Sequence, residues 1–336
     1  MRARTPTLFA AAGLTAALAV GCESDPGDTL LSIDATGTVV GRAYLDRNGD
    51  DRLNLDADGP VSDVRLRLLV ADGRELLEDV VTGESGEYAI AEVPVGQYRL
   101  AVDSSTVPDS IRVMAIDSAD LTVAANDTVV ASVRFGYPQL GVDEARETPI
   151  GRKIFVTGVS LISWETFGDS TVHLAGDTAA LRAMRVRPAA IGVGDSVRFL
   201  GTVSRHLGQP ILNDVTPFVI GAASSPVPDT VSTASAAAAD RGRLDAALVH
   251  VRDAEVTDTA HLVSGDDRII VDDGSGELTV IFDRDGIFVV SFSELMSSSI
   301  DVTGLLVPNG TGGWDLKPRS GEDVTVRSPQ RRGSSP

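Results

Sequence analysis

Residues 64–70 read Val-Arg-Leu-Arg-Leu-Leu-Val. Apolar and basic side chains alternate, and successive side chains of an extended chain point to opposite faces, so one face of this strand is written for a core and the other for water. The same period of two recurs at Tyr98, Leu100 and Val102 against Arg99 and Ala101, and again at Val129, Ala131, Val133 and Phe135. Gly, Pro and Asp turns separate the runs. The three together specify an antiparallel sandwich over residues 34–137, with one face of each sheet in its core.

The rest of the chain fits the same class. Its 336 residues include 33 Gly and 16 Pro, β-branched residues are plentiful, and long Leu/Glu/Lys helical stretches are missing. The prediction is an all-β chain of two or three modest domains. A hydrophobic content of 43% excludes a disordered polyanion, and no stretch has the length of repeated membrane spans. With 48 acidic against 29 basic residues, the net charge of −19 repels nucleic acid and anionic lipid surfaces from the body as a whole.

The first segment gives an address. Arg2 and Arg4 precede an apolar run, Leu8 to Val20, that is short for a membrane span and closes on Gly21-Cys22. The ending Leu18-Ala19-Val20-Gly21-Cys22 resembles the lipobox of bacterial lipoproteins, although Ala19 stands where that family prefers Leu. The resemblance implies that residues 1–21 are a signal peptide and that Cys22, the single cysteine of the chain, is acylated. Residues 22–33 are then a polar tether to the membrane, and palmitate-type chains are the anchor. Glu23 is not the Asp that commonly retains lipoproteins at an inner membrane, so an outer membrane of a bacterial cell envelope is favoured. With its one Cys lipidated the protein forms no internal disulfide.

Residues 138–149 read as a polar connector, 222–240 (AASSPVPDTVSTASAAAAD) as a low-complexity linker whose Ala run suits a short helix, and 328–336 as a disordered tail. Between them lie units 151–221 and 241–327, which repeat one another. Gly194-Asp-Ser-Val-Arg-Phe-Leu-Gly-Thr-Val203, then Gly208-Gln-Pro-Ile-Leu, parallels Ser299-Ile-Asp-Val-Thr-Gly-Leu-Leu-Val307, then Gly313-Trp-Asp-Leu-Lys-Pro. Lys153–Leu161 matches Ala246–Val256, and Val172–Asp177 matches Ile269–Gly274. This is a tandem pair of five-stranded units. The later one carries Ile270-Val-Asp-Asp273-Gly274-Ser-Gly276-Glu-Leu-Thr-Val280, similar to the strand 2–3 hairpin of OB-fold families, which implies two OB-fold-like barrels.

In the first unit, Gly41-Arg-Ala-Tyr-Leu-Asp46-Arg-Asn48-Gly-Asp50-Asp51, Gly59-Pro-Val-Ser-Asp-Val-Arg-Leu66, Thr82 to Tyr88 and Val93-Pro-Val-Gly96-Gln-Tyr98 follow a fixed order. That order resembles the prealbumin-like B domains of bacterial surface adhesins and their carboxypeptidase-regulatory relatives, which implies a rigid, often calcium-loaded spacer. The chemistry also allows calcium. Asp46, Asn48, Asp50, Asp56 and Asp58 put oxygen donors at alternating positions of one turn, as a Ca²⁺ that takes six to eight oxygens requires. The same residues also simply make good turns.

A catalytic constellation is not evident. His173, His206, His250 and His261 are scattered, Gly274-Ser275-Gly276 lacks nucleophile-elbow spacing, and Asp283 with Asp285 reads as a surface turn. Binding is harder to set aside, because 151–221 holds seven basic and five acidic residues in an otherwise acidic chain. Trp164 and Phe167 in the first loop of the middle barrel, Arg185 and Arg187 on one face of its third strand, and Arg205 and His206 in its last loop are candidate ligand contacts, by stacking and by charge. The alternative is that Trp164 caps the barrel and the arginines pair with acidic neighbours. The expected function is a non-enzymatic, lipid-anchored envelope spacer with a docking surface for an envelope protein or polysaccharide. Its alternatives are an OB module for oligosaccharide or extracellular single-stranded nucleic acid, or an accessory subunit of an exported hydrolase or nuclease.

Overall fold

The structure is a computed structural model, and it describes residues 35–71, 76–224, 226–286, 288 and 295–327. The expected signal peptide 1–21, Cys22, the expected tether 22–33 and the expected tail 328–336 lie outside the described residues. In the first unit the strands are β1 (Thr36–Asp46), β2 (Gly59–Pro60), β3 (Arg65–Val70), β4 (Leu76–Val81), β5 (Glu87–Pro94), β6 (Gly96–Val102), β7 (Arg112–Ile116), β8 (Asp120–Val123), β9 (Thr128–Val130) and β10 (Val133–Gly136). One sheet runs β4-β3-β6-β8, the other β2-β1-β10-β7 with β5 and β9 also on β1. Leu66 and Leu68, the apolar face of the alternating run, meet Leu100, Val39 and Phe135 in the core between them. On the wet face Arg65 pairs with Asp79 and Arg67 with Asp103.

This sandwich is not wholly antiparallel, as alternation alone suggested. β9 lies parallel to β1 over Thr38–Val40, and β10 parallel to it over Ala43–Asp46. The eleven-residue β1 serves as a seam along which the chain steps at Ala131–Ser132.

The second unit comprises β11 (Gln139–Gly141), α1 (Val142–Glu147), β12 (Lys153–Ser160), β13 (Val172–Ala175), β14 (Ala180–Met184), β15 (Asp195–His206) and β16 (Gln209–Ala222). The third comprises β17 (Asp229–Thr230), α2 (Thr233–Ala237), β18 (Leu248–His261), β19 (Asp267–Asp272), β20 (Glu277–Phe282), β21 (Ser299–Pro308), β22 (Trp314–Lys317) and β23 (Val324–Arg327). Each forms a closed five-stranded barrel in OB-fold order. β12-β13-β14-β16-β15 closes by β12–β15, and β18-β19-β20-β22-β21 closes by β18–β21. The third and fifth strands are parallel in both. The repeated mid-strand glycine has a physical cause. A Cβ on Gly201 would sit 2.6 Å from the Leu212 side chain, and one on Gly304 2.8 Å from the Lys317 backbone, so the fourth strand coils against the fifth only where no side chain intervenes.

Two expected boundaries move. The run 138–149 is not a connector, because β11 pairs in parallel with β12 and α1 buries Val142 and Ala145 in the core of the first barrel. The linker 222–240 is likewise built in. β17 pairs in parallel with β18, and α2, where the Ala run suggested a helix, buries Thr233 and Ala236 against the second barrel. The repeat is therefore strand, short helix, then barrel, which is longer than the sequence similarity alone suggests. The two copies differ at the end: β16 is one strand of fourteen residues, whereas its counterpart breaks into β22 and β23 around Pro318. Ala246, Leu248 and Leu305 of the second barrel join the core of the first, so that core extends across the junction beside the second barrel's own.

Candidate functional site

Strand alternation decides what the middle barrel can offer. On β13, Val172 and Leu174 face the barrel core, so His173 points outward, and Arg182 stands across from it on β14. An OB barrel standing alone would present this face to a ligand. Here the second barrel covers it. His173 is fully buried, and its Nδ1 lies 3.1 Å from Ala246 O. The carbonyl can only accept, so Nδ1 carries the proton and donates. Arg319 donates to Leu161 O at 3.2 Å, and the Lys317 ammonium, paired with Asp283 at 2.5 Å, lies 4.1 Å from the centroid of the Phe167 ring.

This placement corrects the expected ligand set. Phe167 is 3% exposed in the core and cannot stack a ligand in this arrangement. Trp164 is half-buried, packs on the same core and donates its indole N–H to Val186 O at 3.0 Å, which makes it a cap of the barrel end. Arg185 and Arg187 are exposed, Arg185 beside Asp214 at 3.2 Å, and their backbones bond to Val215 of β16. Arg205 and His206 pair with Pro210 and Gln209 at the start of β16, whereas Val215 lies at its middle. Five residues of strand, about 17 Å, separate the two groups of cations, so they do not form one patch. The basic excess also vanishes once Asp143, Glu144, Arg146 and Glu147 are counted in the unit to which they belong.

The covered face is polar and tightly held. Arg146 pairs with Asp245 at 2.5 Å and donates to Ala180 O at 2.6 Å, with both side chains almost out of solvent. Burial pushes the Asp245 carboxyl up against the pull of Arg146. Burial, with Arg182 nearby, drives the His173 imidazole down to about 3, so it is neutral at any physiological pH. These groups serve an interface and touch no open cleft. Asp283 is the ion-pair partner of Lys317, and Asp285 lies at the tip beside Gly168, so they do not form an acid–base pair facing solvent.

The Asp-rich turn of the sandwich is organised by its own carboxylates. Asp46, 3% exposed, accepts the N–H of Gly49 at 2.7 Å and of Asp51 at 3.0 Å. Asp58 accepts the N–H of Arg47 and of Asn54. Asn48 donates to Asp50 at 2.9 Å, Asp56 donates its N–H to Asn54, and Arg134 pairs with Asp51 and approaches Asp46 at 3.6 Å. The Asn48 hydrogen bond comes first in holding the Asp50 carboxyl below its ordinary value. Among the described residues no three His, Cys, Asp or Glu side chains stand together as a preformed metal-ligand set. Cation occupancy would need Asp46, Asn48, Asp50, Asp56 and Asp58 to draw together.

Three features escaped sequence reasoning. Arg198 of β15 donates to Gly49 O at 3.1 Å while its guanidinium lies 5.1 Å from the Phe155 ring and 5.7 Å from the Phe218 ring. Tyr137 completes this aromatic group, 6.3 Å from Phe155. It joins sandwich to barrel, and its one signal in the sequence is that Phe155 and Phe218 fall on the outer parity of their strands. The second feature is the pair Arg146–Asp245, and the third is Trp314. No helix among the described residues is long and apolar enough to cross a membrane.

No family model and no curated protein matches this sequence. Among solved structures, the chain is similar to the minor pilin GBS52 of Streptococcus agalactiae (16% identity, 31% of this chain and 46% of that one, TM-score 0.25). It is similar too to a murine DNA binding protein bound with double-stranded DNA (13%, 52% and 97%, TM-score 0.28) and to the shaft pilin SpaA of Lactobacillus rhamnosus GG (11%, 54% and 98%, TM-score 0.23). The match spans less than half the length of the minor pilin. At these scores the likenesses carry no argument, and the architecture rests on strand order and register.

Proposed function

We propose that this is a non-catalytic, exported protein of a bacterial cell envelope, anchored by lipid at Cys22, in which three β units form a stiffened spacer that ends in a docking surface. The observation that supports it most is how the units are joined. Each junction is held by buried or stacked side chains, Arg198 at the first and Arg146, His173, Lys317 and Arg319 at the second, and the polar groups that chemistry would need are used in those junctions. The covered β13–β14 face also argues against the middle barrel as a receptor for single-stranded nucleic acid.

The anchor is the part most directly tested. Wild-type protein expressed in a bacterial host should partition into detergent and take up a palmitate analogue, while Cys22→Ser should stay unprocessed and unlabelled. Equal labelling of Cys22→Ser removes the anchor and with it the membrane-proximal placement.

A further inference from the structure

Where the last loops of the two barrels meet, an open cleft of about 570 Å³ runs between Leu207-Gly208 on one side and Pro308, Gly310, Gly312 and Gly313 on the other, with Ala238 and Gly242 closing one end and Trp314 beside them. No local sequence motif marks it, because its residues come from three separate segments. The two tryptophans of the chain differ in one respect. Trp164 spends its indole N–H on a backbone carbonyl, whereas Trp314 is half-buried and its indole N–H has no partner among the described residues. The loop beside it is rigid: Asn309 Oδ1 accepts the N–H of Thr311 and of Gly313 and the Thr311 hydroxyl, and Asn309 Nδ2 donates to Asp315. The space is kept open by the glycines. A Cβ at Gly208, Gly242 or Gly312 would meet no atom within 4 Å, and all three hold a positive φ. Gly208 O already accepts from Arg205 at 2.9 Å and Gly242 O from Arg146 at 3.3 Å, which leaves their second lone pairs for a ligand. Directly after Gly208, Gln209 is 1% exposed and neither atom of its amide is hydrogen-bonded.

We propose that this inter-barrel cleft binds a neutral saccharide, one sugar ring stacking on Trp314 while its hydroxyls bond the indole N–H and the backbone groups of the glycine walls. The lining residues are uncharged among the described residues, which favours a neutral ligand. The Arg205 guanidinium at its edge is engaged with Gly208 O at 2.9 Å, and anionic comparison ligands test whether it recruits a phosphate or carboxylate. An aromatic floor with polar backbone edges suits a ring that has an apolar C–H face and a hydroxyl rim, and a preformed rigid loop lowers the entropic cost of capture. The site requires both barrels, which gives the duplication a use that neither copy has alone. This goes beyond the spacer reading and does not depend on it.

The test is a fluorescence titration of the full chain in detergent with cellotetraose, maltotetraose and N-acetylchitotetraose, and with tetragalacturonate and decathymidylate as anionic comparisons. At least one neutral tetrasaccharide should give a saturable change in emission. Affinity of the responding sugar, measured for the variants by isothermal titration calorimetry because those at Trp314 lack the reporting indole, should fall at least tenfold in Trp314→Ala, about threefold in Trp314→Phe, and at least tenfold in Leu207→Arg, at an exposed wall position, with an unaltered circular dichroism spectrum. Absence of a saturable response to all three neutral sugars, binding in Trp314→Ala within twofold of wild type, or equal binding of the anionic ligands overturns the proposal and leaves the anchor and spacer reading untouched.

Discussion

His173 shows how one buried side chain sets a pH response. Its ordinary value near 6.5 falls to about 3 in the folded protein through burial, with Arg182 adding to the drop. Between those limits the unfolded chain binds a proton that the folded chain refuses, so stability is lost as pH falls through the window from about 6.5 towards 3. Integrated from pH 7 to pH 5, this one group removes about 2 kcal/mol. His173→Gln keeps a donor for Ala246 O and does not titrate, so its stability, read by urea unfolding, should be flatter over that range. An unchanged slope would mean that other groups carry it. The Asp-rich turn makes a second case at this scale. Calcium there is a proposal, and mass action gives its signature: millimolar calcium should raise the melting temperature of the full chain, and Asp46→Ala with Asp50→Ala should abolish the rise. Identical melting in calcium and in chelator would leave these residues as turn-formers alone.

Secondary elements show the duplication more clearly than residues do. In the first barrel Asp143 of α1 reaches the β13–β14 hairpin, accepting the Thr178 hydroxyl and the N–H of Asp177. In the second, the roles are reversed: Thr233 of α2 donates its hydroxyl to Asp273 of the β19–β20 hairpin at 2.7 Å, and Asp273 accepts the Thr233 N–H at 3.1 Å. Burial works against both carboxylates, yet hydrogen bonds hold each below its ordinary value: those from Thr178 and Asp177 for Asp143, and those from Ser275 and then Thr233 for Asp273. Both clasps therefore hold through the ordinary carboxylate range and weaken only as pH falls below it, when the carboxylates take up protons. Asp143→Ala and Thr233→Val should each cost about 1–2 kcal/mol in urea unfolding at pH 7, nearly additively, since they act on different barrels. A loss under 0.3 kcal/mol would show that the helices are not clasped by these bonds. Here too lies the limit of what the sequence could tell. Alternation, the mid-strand glycines and the Asp272–Gly276 turn announced sandwich and barrels because each is written in neighbouring residues. β11 with α1 and β17 are hidden in stretches whose composition is that of a linker, since the strands gain their stability from pairing with β12 and β18, whereas the Ala run does mark α2. Phe167 looked like a ligand platform because a loop has no period to say which way a side chain points, and only the second barrel's arrival decides that it is core.

At the scale of the whole molecule the question is whether sandwich and barrels move as one, and Arg198 is where that can be put to the test. Its guanidinium bridges Gly49 O, on the Asp-rich turn, to the Phe155 and Phe218 rings of the first barrel. The same glycine donates its N–H to Asp46, so the carboxylate that shapes the turn and the arginine that grips it act on the two peptide groups that flank one Cα. Removing Arg198 deletes a charged hydrogen bond and two cation–π contacts, about 1–3 kcal/mol of coupling between units. In calorimetry of the full chain, wild type should unfold with the sandwich and barrel transitions merged, and Arg198→Ala should split off the sandwich at lower temperature. Arg198→Lys should not restore the merged transition, because an ammonium lacks the planar face that lies over both rings. Because Asp46 and Arg198 meet at Gly49, Asp46→Ala in the Arg198→Ala background should cost less than it does alone, with a coupling energy above about 0.5 kcal/mol. Strict additivity of the two changes, together with an unsplit thermogram for Arg198→Ala, would mean that the turn and the barrel merely touch, and that stiffness at this junction comes from the pairing of β11 with β12.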